Sequence, residues 1–462
     1  MIESDSLALV ALYNATGGPD WANQTNWLTN TPVGEWHGIT VSDQRVTGIT
    51  FYNNNLSGTL PADIGNLTVL QRVALASSFL TGEIPAEIGQ CTELTFIDLS
   101  GNMLTGSFPQ EISNCQKLKE IIVYQNQFSG SFPTVLLGLP EVWRLQLGDN
   151  NYSGELPAEL SNATLLTYFT IDRNNFSGQM VSLKNLTGMV EVHLRGNNLH
   201  GNIADIFNYS PNMYYLTIGD NHFTGCVSDT FFYPTQLQFF DFPNNDFECV
   251  GDFSHTADTG IIKRLNLYGN RIPFEYLEPN LGVNNYTYAP QQALLTTDTM
   301  TLMTDDSVEI QSGSLGQHTH YNWYKDGLVI AGETASSLWV RDFDATKAGT
   351  YYCSMTNDSL PLLTLERNRV TLNLEGPSAI HHPIASSLKI TPNPVDQYIL
   401  LDSGDKSPLA FIYDLMGKVV LADYQVDHGK IDVSNFAEGY YILILKNDTT
   451  MTSGCFYRTG LR

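Results

Sequence analysis

The sequence predicts a mainly β, multidomain protein whose largest part is a solenoid of ten repeats. An anchor residue, almost always asparagine, recurs about every 24 residues from Asn54 to Asn270. Apolar residues precede each anchor by eight, five and three positions, as in the segment 94–102. From about residue 293 this period gives way to short alternating apolar segments. A near-constant period of this length is typical of stacked structural repeats.

Each repeat is expected to form one coil with a short strand. The apolar positions five and three before the anchor are two apart, so they face the same side of a strand. The asparagine amide at the following turn can pair with backbone groups that stacking would otherwise bury unpaired. Stacked coils then share one continuous core. The anchors are Asn54, Ser78, Asn102, Asn126, Asn150, Asn174, Asn197, Asn221, Asn245 and Asn270.

A second recurring segment follows most anchors, as in Leu-Thr-Gly-Glu-Ile-Pro at 80–85, and the last two repeats lose its Ser-Gly part. With this segment the repeat resembles the plant-type subclass of the leucine-rich repeat family, over about half of the chain. The resemblance implies a leucine-rich repeat solenoid at 46–285. Ser78 replaces one anchor asparagine, and Met180-Val181 replaces Ile-Pro.

Residues 1–45 are predicted to cap the first coil. Asp5 or Ser6 can N-cap a helix that runs to about Tyr13, and Gly17 ends it. The stretch 35–40 resembles the N-terminal cap of plant-type repeat proteins, without the usual cysteine pair. Three tryptophans could form a sugar-binding platform, but we favour packing against the first coil. They are Trp21, Trp27 and Trp36.

Residues 293–375 have the strand pattern of an immunoglobulin-like β-sandwich. The segment 308–310 fits strand B, 321–327 fits strand C and its turn, and Tyr351 precedes Cys353 as a tyrosine corner requires. This resembles the immunoglobulin superfamily. Ser312 stands near the usual position of the strand-B cysteine, so we expect Cys353 to be a free thiol.

Residues 376–388 are predicted to form a linker, and 389–462 a small β-sandwich sorting domain. Pro392-Asn393-Pro394, then Asp414 with Gly417-Lys418, then Phe436 with Gly439-x-Tyr441 follow in order. This order resembles the C-terminal sorting domain of the type IX secretion system of Bacteroidetes bacteria. The resemblance implies export to the cell surface or beyond, with the type IX secretion machinery as a partner. The last six residues depart from the usual lysine-rich strand.

Composition excludes several classes of function. The net charge of −25 disfavours nucleic-acid binding, which needs basic patches. No apolar run approaches the 18 residues of a membrane span. The N-terminus has no basic region before an apolar one, so we expect either no export or a removed signal peptide, and the sorting domain favours the second. We found no catalytic, phosphate-binding or metal motif, so the sequence predicts no enzyme, no cofactor and no metal.

Two cysteine pairs occupy neighbouring coils. Cys91 and Cys115 hold the same repeat position, and Cys226 and Cys249 follow adjacent anchors. Equivalent positions in stacked coils are expected about 5 Å apart, a distance that a disulfide tolerates. We therefore predict two disulfides, with buried free thiols as the alternative.

The strand face of the coils is the predicted ligand-binding surface. Large aromatic and charged residues at positions seven, six, four and two or one before the anchors suit an extracellular polysaccharide or protein. We place the ligand on repeats four to eight, where both charge signs lie beside planar side chains. The candidate residues are Tyr124, Trp143, Arg144, Gln146, Tyr168, Asp172, Arg173, His193, Arg195, Tyr215 and Asp241.

Two alternatives stay open. A row of hydroxyl residues from Ser57 to Thr224 holds one repeat position, and stacking would space it at about 4.8 Å, as in an ice-binding protein. The same strand face could also inhibit a polysaccharide-degrading enzyme. The leading hypothesis is a secreted or cell-surface binding or adhesion protein, in which the immunoglobulin-like part is a spacer.

Overall fold

A computed structural model describes residues 3–207, 212–228, 238–256, 261–375, 384–387, 390, 393, 395–401, 408–414, 418–426, 429–446 and 451–459. Two compact units divide the chain, Met1–Asn373 and Leu374–Arg462. The fold class predicted from the sequence is confirmed, because the protein is mainly β with a long parallel sheet. Most of the predicted linker lies outside the described residues.

One 12-stranded sheet runs the length of the first unit. Its first pair is antiparallel and the pairs described after it are parallel, joined with a shift of 23 to 24 residues through most of the array, as Arg144 pairs with Tyr168. Equivalent repeat positions therefore lie side by side. The strands are Ile39–Ser42, Arg45–Tyr52, Arg72–Ala76, Phe96–Asp98, Glu120–Ile122, Arg144–Gln146, Tyr168–Thr170, Glu191–His193, Tyr215–Thr217, Phe239–Asp241, Arg264–Asn266 and Tyr286–Thr287.

The anchor asparagines form the predicted hydrogen-bond ladder. The Asn150 amide donates to the carbonyls of Val123, Leu147 and Gly148 at 3.0–3.1 Å. Its oxygen accepts from the Phe128 N–H at 3.0 Å. The same pattern returns at the anchors from Asn102 to Asn270. Each buried amide thus pairs backbone groups of two successive coils, which is the role predicted for it.

The strands on the other side of the coils are staggered. Ser57 pairs with Phe79 and Ser177 with Asn198, a shift of 21 or 22 residues. A hydroxyl therefore lies beside the residue two before its equivalent in the next coil, and the expected 4.8 Å hydroxyl row is wrong. The strands are Ser57–Thr59, Phe79–Gly82 and Met103–Leu104, and in a second sheet Ser129–Gly130, Asn151–Gly154, Asn175–Gln179, Asn198–Asn202, His222–Val227 and Asp246–Val250.

Short helices complete the coils. Proline precedes several of the 3-10 turns, where it presets the backbone and gives up no needed N–H. The apolar repeat positions are buried throughout, for example Ile97 and Leu145. The 3-10 helices are Gly18–Asp20, Val33–Glu35, Ala62–Asn66, Ala86–Gln90, Gln110–Asn114, Thr134–Gly138, Ala158–Asn162, Ser254–Thr256 and Glu278–Asn280; the other short helices are Ile203–Ile206 and Phe274–Leu277.

The N-terminal cap is a helix, Glu3–Ala15, over an aromatic cluster. Trp21 and Trp27 are 4–5% exposed, and the Trp21 ring centre lies 4.8 Å from that of Phe51. Trp36 packs on Trp27, so the packing interpretation of the tryptophans is confirmed. The N-capping role expected for Asp5 is wrong. Its buried carboxylate lies in the first turn and accepts from Arg45 and from the Val46 N–H at 2.8–3.1 Å.

The solenoid extends beyond its predicted end at 285. Tyr286–Thr287 adds the twelfth strand of the sheet, parallel to its neighbour and paired with Leu265 and Asn266. Gln291 then takes the place of an anchor asparagine, since its amide donates to the Leu267 carbonyl at 2.9 Å and accepts from the Ile272 N–H at 3.1 Å. The sequence concealed this coil because the residue is glutamine at an irregular spacing.

Two further sheets follow in the same unit. Trp323 and Cys353 are fully buried, Cys353 is a free thiol as expected, and the Tyr351 hydroxyl donates to the Lys347 carbonyl at 2.6 Å. The immunoglobulin-like assignment stays a prediction. One sheet has the order Asp298–Leu302, Val370–Leu374, Gly349–Asn357, Thr319–Lys325 and Leu328–Val329, with Thr364–Glu366 also on Gly349–Asn357; the other pairs Val308–Gln311 with Ser337–Val340.

These sheets are bonded directly to the end of the solenoid. The Glu275 carboxylate accepts from the Ser314 hydroxyl and the Leu315 N–H, both at 2.9 Å. The Glu278 carboxylate accepts from the Asn357 amide at 2.5 Å. The end of the solenoid and these sheets therefore meet at a hydrogen-bonded junction.

The second unit is a small β domain with its own apolar core, which includes Ile412, Leu443 and Phe456. Asn393 of the Pro-Asn-Pro motif pairs with the last strand, because its oxygen accepts from the Tyr457 N–H at 3.0 Å. The strand order is Ile384–Ser387, Met451–Arg458, Gly439–Lys446, Leu409–Asp414 and Val419–Gln425, and Tyr398–Leu400 pairs with Lys430–Asp432.

Candidate functional site

The predicted ligand residues lie on one side of the 12-stranded sheet, which we call the strand face. In-register pairing sets residues of equal repeat position in rows, such as Arg144, Tyr168, Glu191, Tyr215 and Phe239. These side chains are half-buried, whereas the residues between them in each strand point into the core. The strand face is thus a continuous row of contacts from coil to coil. Tyr124 and Gln146 are also half-buried there.

An aromatic patch occupies the middle of the strand face. Trp143 meets Tyr168 edge to face, with ring centres 5.6 Å apart. The Arg144 guanidinium lies 5.3 Å from the Tyr168 ring centre and forms an ion pair with Glu120 at 3.4 Å. The structure therefore brings together three of the predicted residues, but the charge of Arg144 is already paired.

A charged cluster lies next to this patch. Arg173 forms a two-pronged ion pair with Asp149 and also lies 3.3 Å from Asp172. Burial raises the pKa of the Asp172 carboxyl above its ordinary value, the Arg173 charge lowers it and Asp149 raises it. Arg173 pairs with both carboxylates, so its charge is already compensated within the cluster.

Further along, His193 Nδ1 lies 2.9 Å from the Thr217 hydroxyl, and its ring lies 6.0 Å from that of Tyr215. Arg195 forms ion pairs with Asp220 at 2.6 Å and Asp241 at 3.5 Å. The prediction that Asp241 is exposed for a ligand is wrong. It is 8% exposed, because Arg195 and the Asn266 amide cover its carboxylate.

An open cavity of about 860 Å³ lies at the C-terminal end of the strand face. Aromatic rings of Tyr214, Phe239 and Tyr268 line it, and Tyr215 stacks on Phe239 with ring centres 4.3 Å apart. Its size lies within the range of small-ligand sites. The cavity therefore lies toward the last coils and reaches the predicted repeats four to eight only at Tyr214.

Polar residues that the sequence prediction left out complete this cavity. Lys263 and Arg264 are exposed on it. The Asn266 amide donates to Asp241 at 2.6 Å, which leaves its oxygen buried and without a hydrogen-bond partner. The signal that could have found these residues is the repeat position itself, since Lys263 and Arg264 lie seven and six before the anchor Asn270, as Trp143 and Arg144 do before Asn150. The other polar lining residues are Gln238, Asn284, Asn285 and Thr287.

The two cysteine pairs differ in the structure. Cys226 and Cys249 lie opposite each other in the second sheet and form a disulfide, with Cα atoms 4.7 Å apart. The disulfide predicted between Cys91 and Cys115 is wrong. Both thiols are free and buried, because each sulfur turns inward and donates to a carbonyl of the preceding coil at 3.4–3.5 Å.

Family comparisons agree with the architecture. The leucine-rich repeat model matches residues 93–115, and the secretion system C-terminal sorting domain model matches residues 389–455. The solenoid thus contains a leucine-rich repeat that the family model matches. The chain carries a type IX sorting domain at its C-terminus and is therefore a secreted or outer-surface protein. No helix among the described residues has the length and apolar character needed to span a membrane. No curated protein matches the chain.

The chain is similar to several solved structures. The PEPR1–AtPEP1 structure is similar with a TM-score of 0.54 and 24% identity over 65% of this chain. This chain covers 43% of that one, so less than half of its length is compared. The leucine-rich repeat ectodomain of the receptor kinase GASSHO1/SCHENGEN3 from Arabidopsis thaliana gives 0.46 and 28%, over 54% of this chain and 30% of that one. A plant ice-binding protein gives 0.47 and 20%, over 59% and 97%.

Proposed function

We propose that this protein is a surface-exposed binding protein, not an enzyme, and that its strand face binds an extracellular polysaccharide. The observation that carries the proposal is the cavity at the end of the strand face, where Tyr214, Phe239 and Tyr268 stand beside side-chain amides. Flat aromatic rings stack on the apolar faces of sugars, and amides supply both donors and acceptors for hydroxyls. The sorting domain would place this surface outside a Bacteroidetes cell.

Two features favour the last coils over the middle repeats as the centre of binding. In the middle repeats, Arg173 and Arg195 already form ion pairs with carboxylates of the protein. The first coils present small residues such as Ala74 and Ala76, both buried. At the cavity, three aromatic rings lie beside exposed polar side chains. Trp143 remains a secondary contact in this proposal.

The test uses the full chain and two tyrosines at the same repeat position. Tyr268 and Tyr52 both lie two residues before an anchor, at opposite ends of the solenoid. We expect Tyr268→Ala to weaken polysaccharide binding by about 1–3 kcal/mol, whereas Tyr52→Ala leaves it unchanged. Isothermal titration calorimetry against soluble polysaccharides measures both, and Trp143→Ala reports on the middle patch. Failure of the unmodified chain to bind any polysaccharide would refute the proposal.

Ice binding is the weaker alternative, because it relied on the hydroxyl row. Ser57 is opposite Phe79 and Thr81 is opposite Met103, so no two neighbouring hydroxyls of that row are directly paired in these strands. Two residues along a strand add about 6.6 Å to the spacing between coils. We expect thermal hysteresis no greater than that of a control protein.

A further inference from the structure

We propose that the cavity at the end of the strand face recognises an acidic saccharide, and that Arg264 binds its anionic group. This inference rests on the proposed function, since it names the class of polysaccharide. The inference also extends the proposed function, because a neutral sugar would not require an arginine in the site.

The charge of the cavity is opposite to that of the chain. The protein has 48 acidic and 23 basic residues, yet the described residues lining the cavity include Lys263 and Arg264 and no carboxylate. The nearby Asp241 is turned to Arg195 and to the Asn266 amide. A polyanion approaching this acidic protein therefore meets the Arg264 cation with no carboxylate among the described residues of the wall.

Arg264 differs from the arginines of the middle coils. Arg144, Arg173 and Arg195 each form an ion pair with a carboxylate. Arg264 is exposed and has no ion-pair partner within the part of the chain that the structure describes. Its guanidinium is planar and presents parallel donors, a geometry that fits carboxylate or sulfate oxygens. The ligand is thus expected to supply the charge that a neighbouring coil supplies elsewhere.

The rest of the lining favours a saccharide over an acidic peptide. Phe239 pairs laterally with Arg264, so a flat ring lies beside the cation. Tyr268 adds a second ring, and the exposed Asn284 and Asn285 amides also line the cavity. Stacking surfaces next to amides and one cation suit a ring that carries hydroxyls and one anionic group.

The experiment compares two arginines of equal repeat position in the full chain. Arg264 and Arg72 both lie six residues before an anchor and both are exposed, but Arg72 stacks on Phe96 far along the sheet from the cavity. The probes are oligogalacturonate, its carboxyl-reduced neutral counterpart and a sulfated galactan oligomer. We expect Arg264→Gln to weaken oligogalacturonate binding about tenfold or more, and Arg72→Gln to leave it unchanged. Arg264→Lys is expected to restore part of the affinity, and added salt to weaken binding.

The outcomes separate this inference from the proposed function. No binding of charged or neutral oligomers by the unmodified chain overturns both. Equal binding of the acidic and neutral oligomers, lost in Tyr268→Ala but unchanged in Arg264→Gln, overturns only the inference. Binding of an acidic peptide in place of any saccharide also overturns it. A preference for the carboxylated or the sulfated oligomer supports it and identifies the anionic group.

Discussion

The joint between the first two coils differs from the joints after it in one side chain. At most joints an asparagine bridges the coils, as Asn150 does with three donated bonds and one accepted bond. At the first joint Ser78 holds that position. Its hydroxyl is buried and has no hydrogen-bond partner in the described structure. The backbone contacts at this joint are otherwise alike, since the Phe79 N–H donates to the Leu56 carbonyl as the Gln127 N–H does to the Leu104 carbonyl.

This difference separates two contributions to the stability of a solenoid. Burial of the apolar repeat positions is shared by all the coils, whereas the amide ladder is interrupted at Ser78. In a repeat protein each coil contacts only its neighbours, so a weak joint divides the array into segments that open separately. We expect the cap and first coil to open before the coils beyond Ser78.

Removing an anchor is expected to have the largest effect. Asn150→Ala leaves backbone groups of two coils buried without their amide partner, and we expect a loss of about 3–4 kcal/mol in the free energy of unfolding. Urea denaturation followed by tryptophan fluorescence measures it. The control is Asn151→Ala, because Asn151 is exposed and adjacent. Equal denaturation midpoints for the two variants would show that the ladder contributes little.

The coil architecture could be predicted because one period repeats both the apolar positions and the amide. The extra coil at Gln291 was not predicted, because a glutamine at an irregular spacing takes the place of the anchor asparagine and donates to the Leu267 carbonyl of the preceding coil. The hydrogen-bond partners of Asp5 were not predicted for another reason. A carboxylate at a helix start usually caps it, but Arg45 and the Val46 N–H, far along the chain, compete more strongly.

The sequence predicted which repeat positions line up on the strand face, but not which of those side chains form ion pairs with each other. The sequence places Arg195 and Asp241 on the same face, but only the register shows that they neutralise each other. Likewise, Arg264 has no carboxylate opposite it among the described residues, and the sequence of its own coil does not show this because it depends on the neighbouring coils. Tertiary pairing thus decides which charges are left for a ligand.

The two cysteine pairs extend the comparison between joints, because one pair forms a disulfide between its coils and the other consists of two free thiols. Replacing both Cys226 and Cys249 by serine is expected to lower stability by about 2–3 kcal/mol, since the disulfide restrains the unfolded chain. Urea denaturation of the double variant measures this. Reduction of the unmodified protein is expected to give the same loss, and no loss in the variant.

Thiol titration is the control for this assignment. Burial raises the pKa of Cys91 and Cys353 to about 12 and that of Cys115 to about 11, so at pH 8 none of them supplies reactive thiolate in the folded protein. Only the exposed Cys455 is then expected to react, and all four free thiols after unfolding. Two reactive thiols after unfolding would instead indicate a disulfide between Cys91 and Cys115.

The smallest effect is expected from repairing the first joint. By the spacing of the ladder, an asparagine in place of Ser78 would accept from the Leu56 N–H and donate to the Phe51 and Leu75 carbonyls. Ser78→Asn is therefore expected to raise stability by about 1 kcal/mol, the net value of a buried hydrogen bond. Ser78→Ala is the control, because it removes an unpartnered hydroxyl without adding a bond, and we expect it to be nearly neutral. Hydrogen exchange at the Leu56 amide distinguishes the cause: it slows in Ser78→Asn alone if the ladder is restored. Unchanged exchange there, even with higher stability, would show that the amide ladder is not what distinguishes this joint.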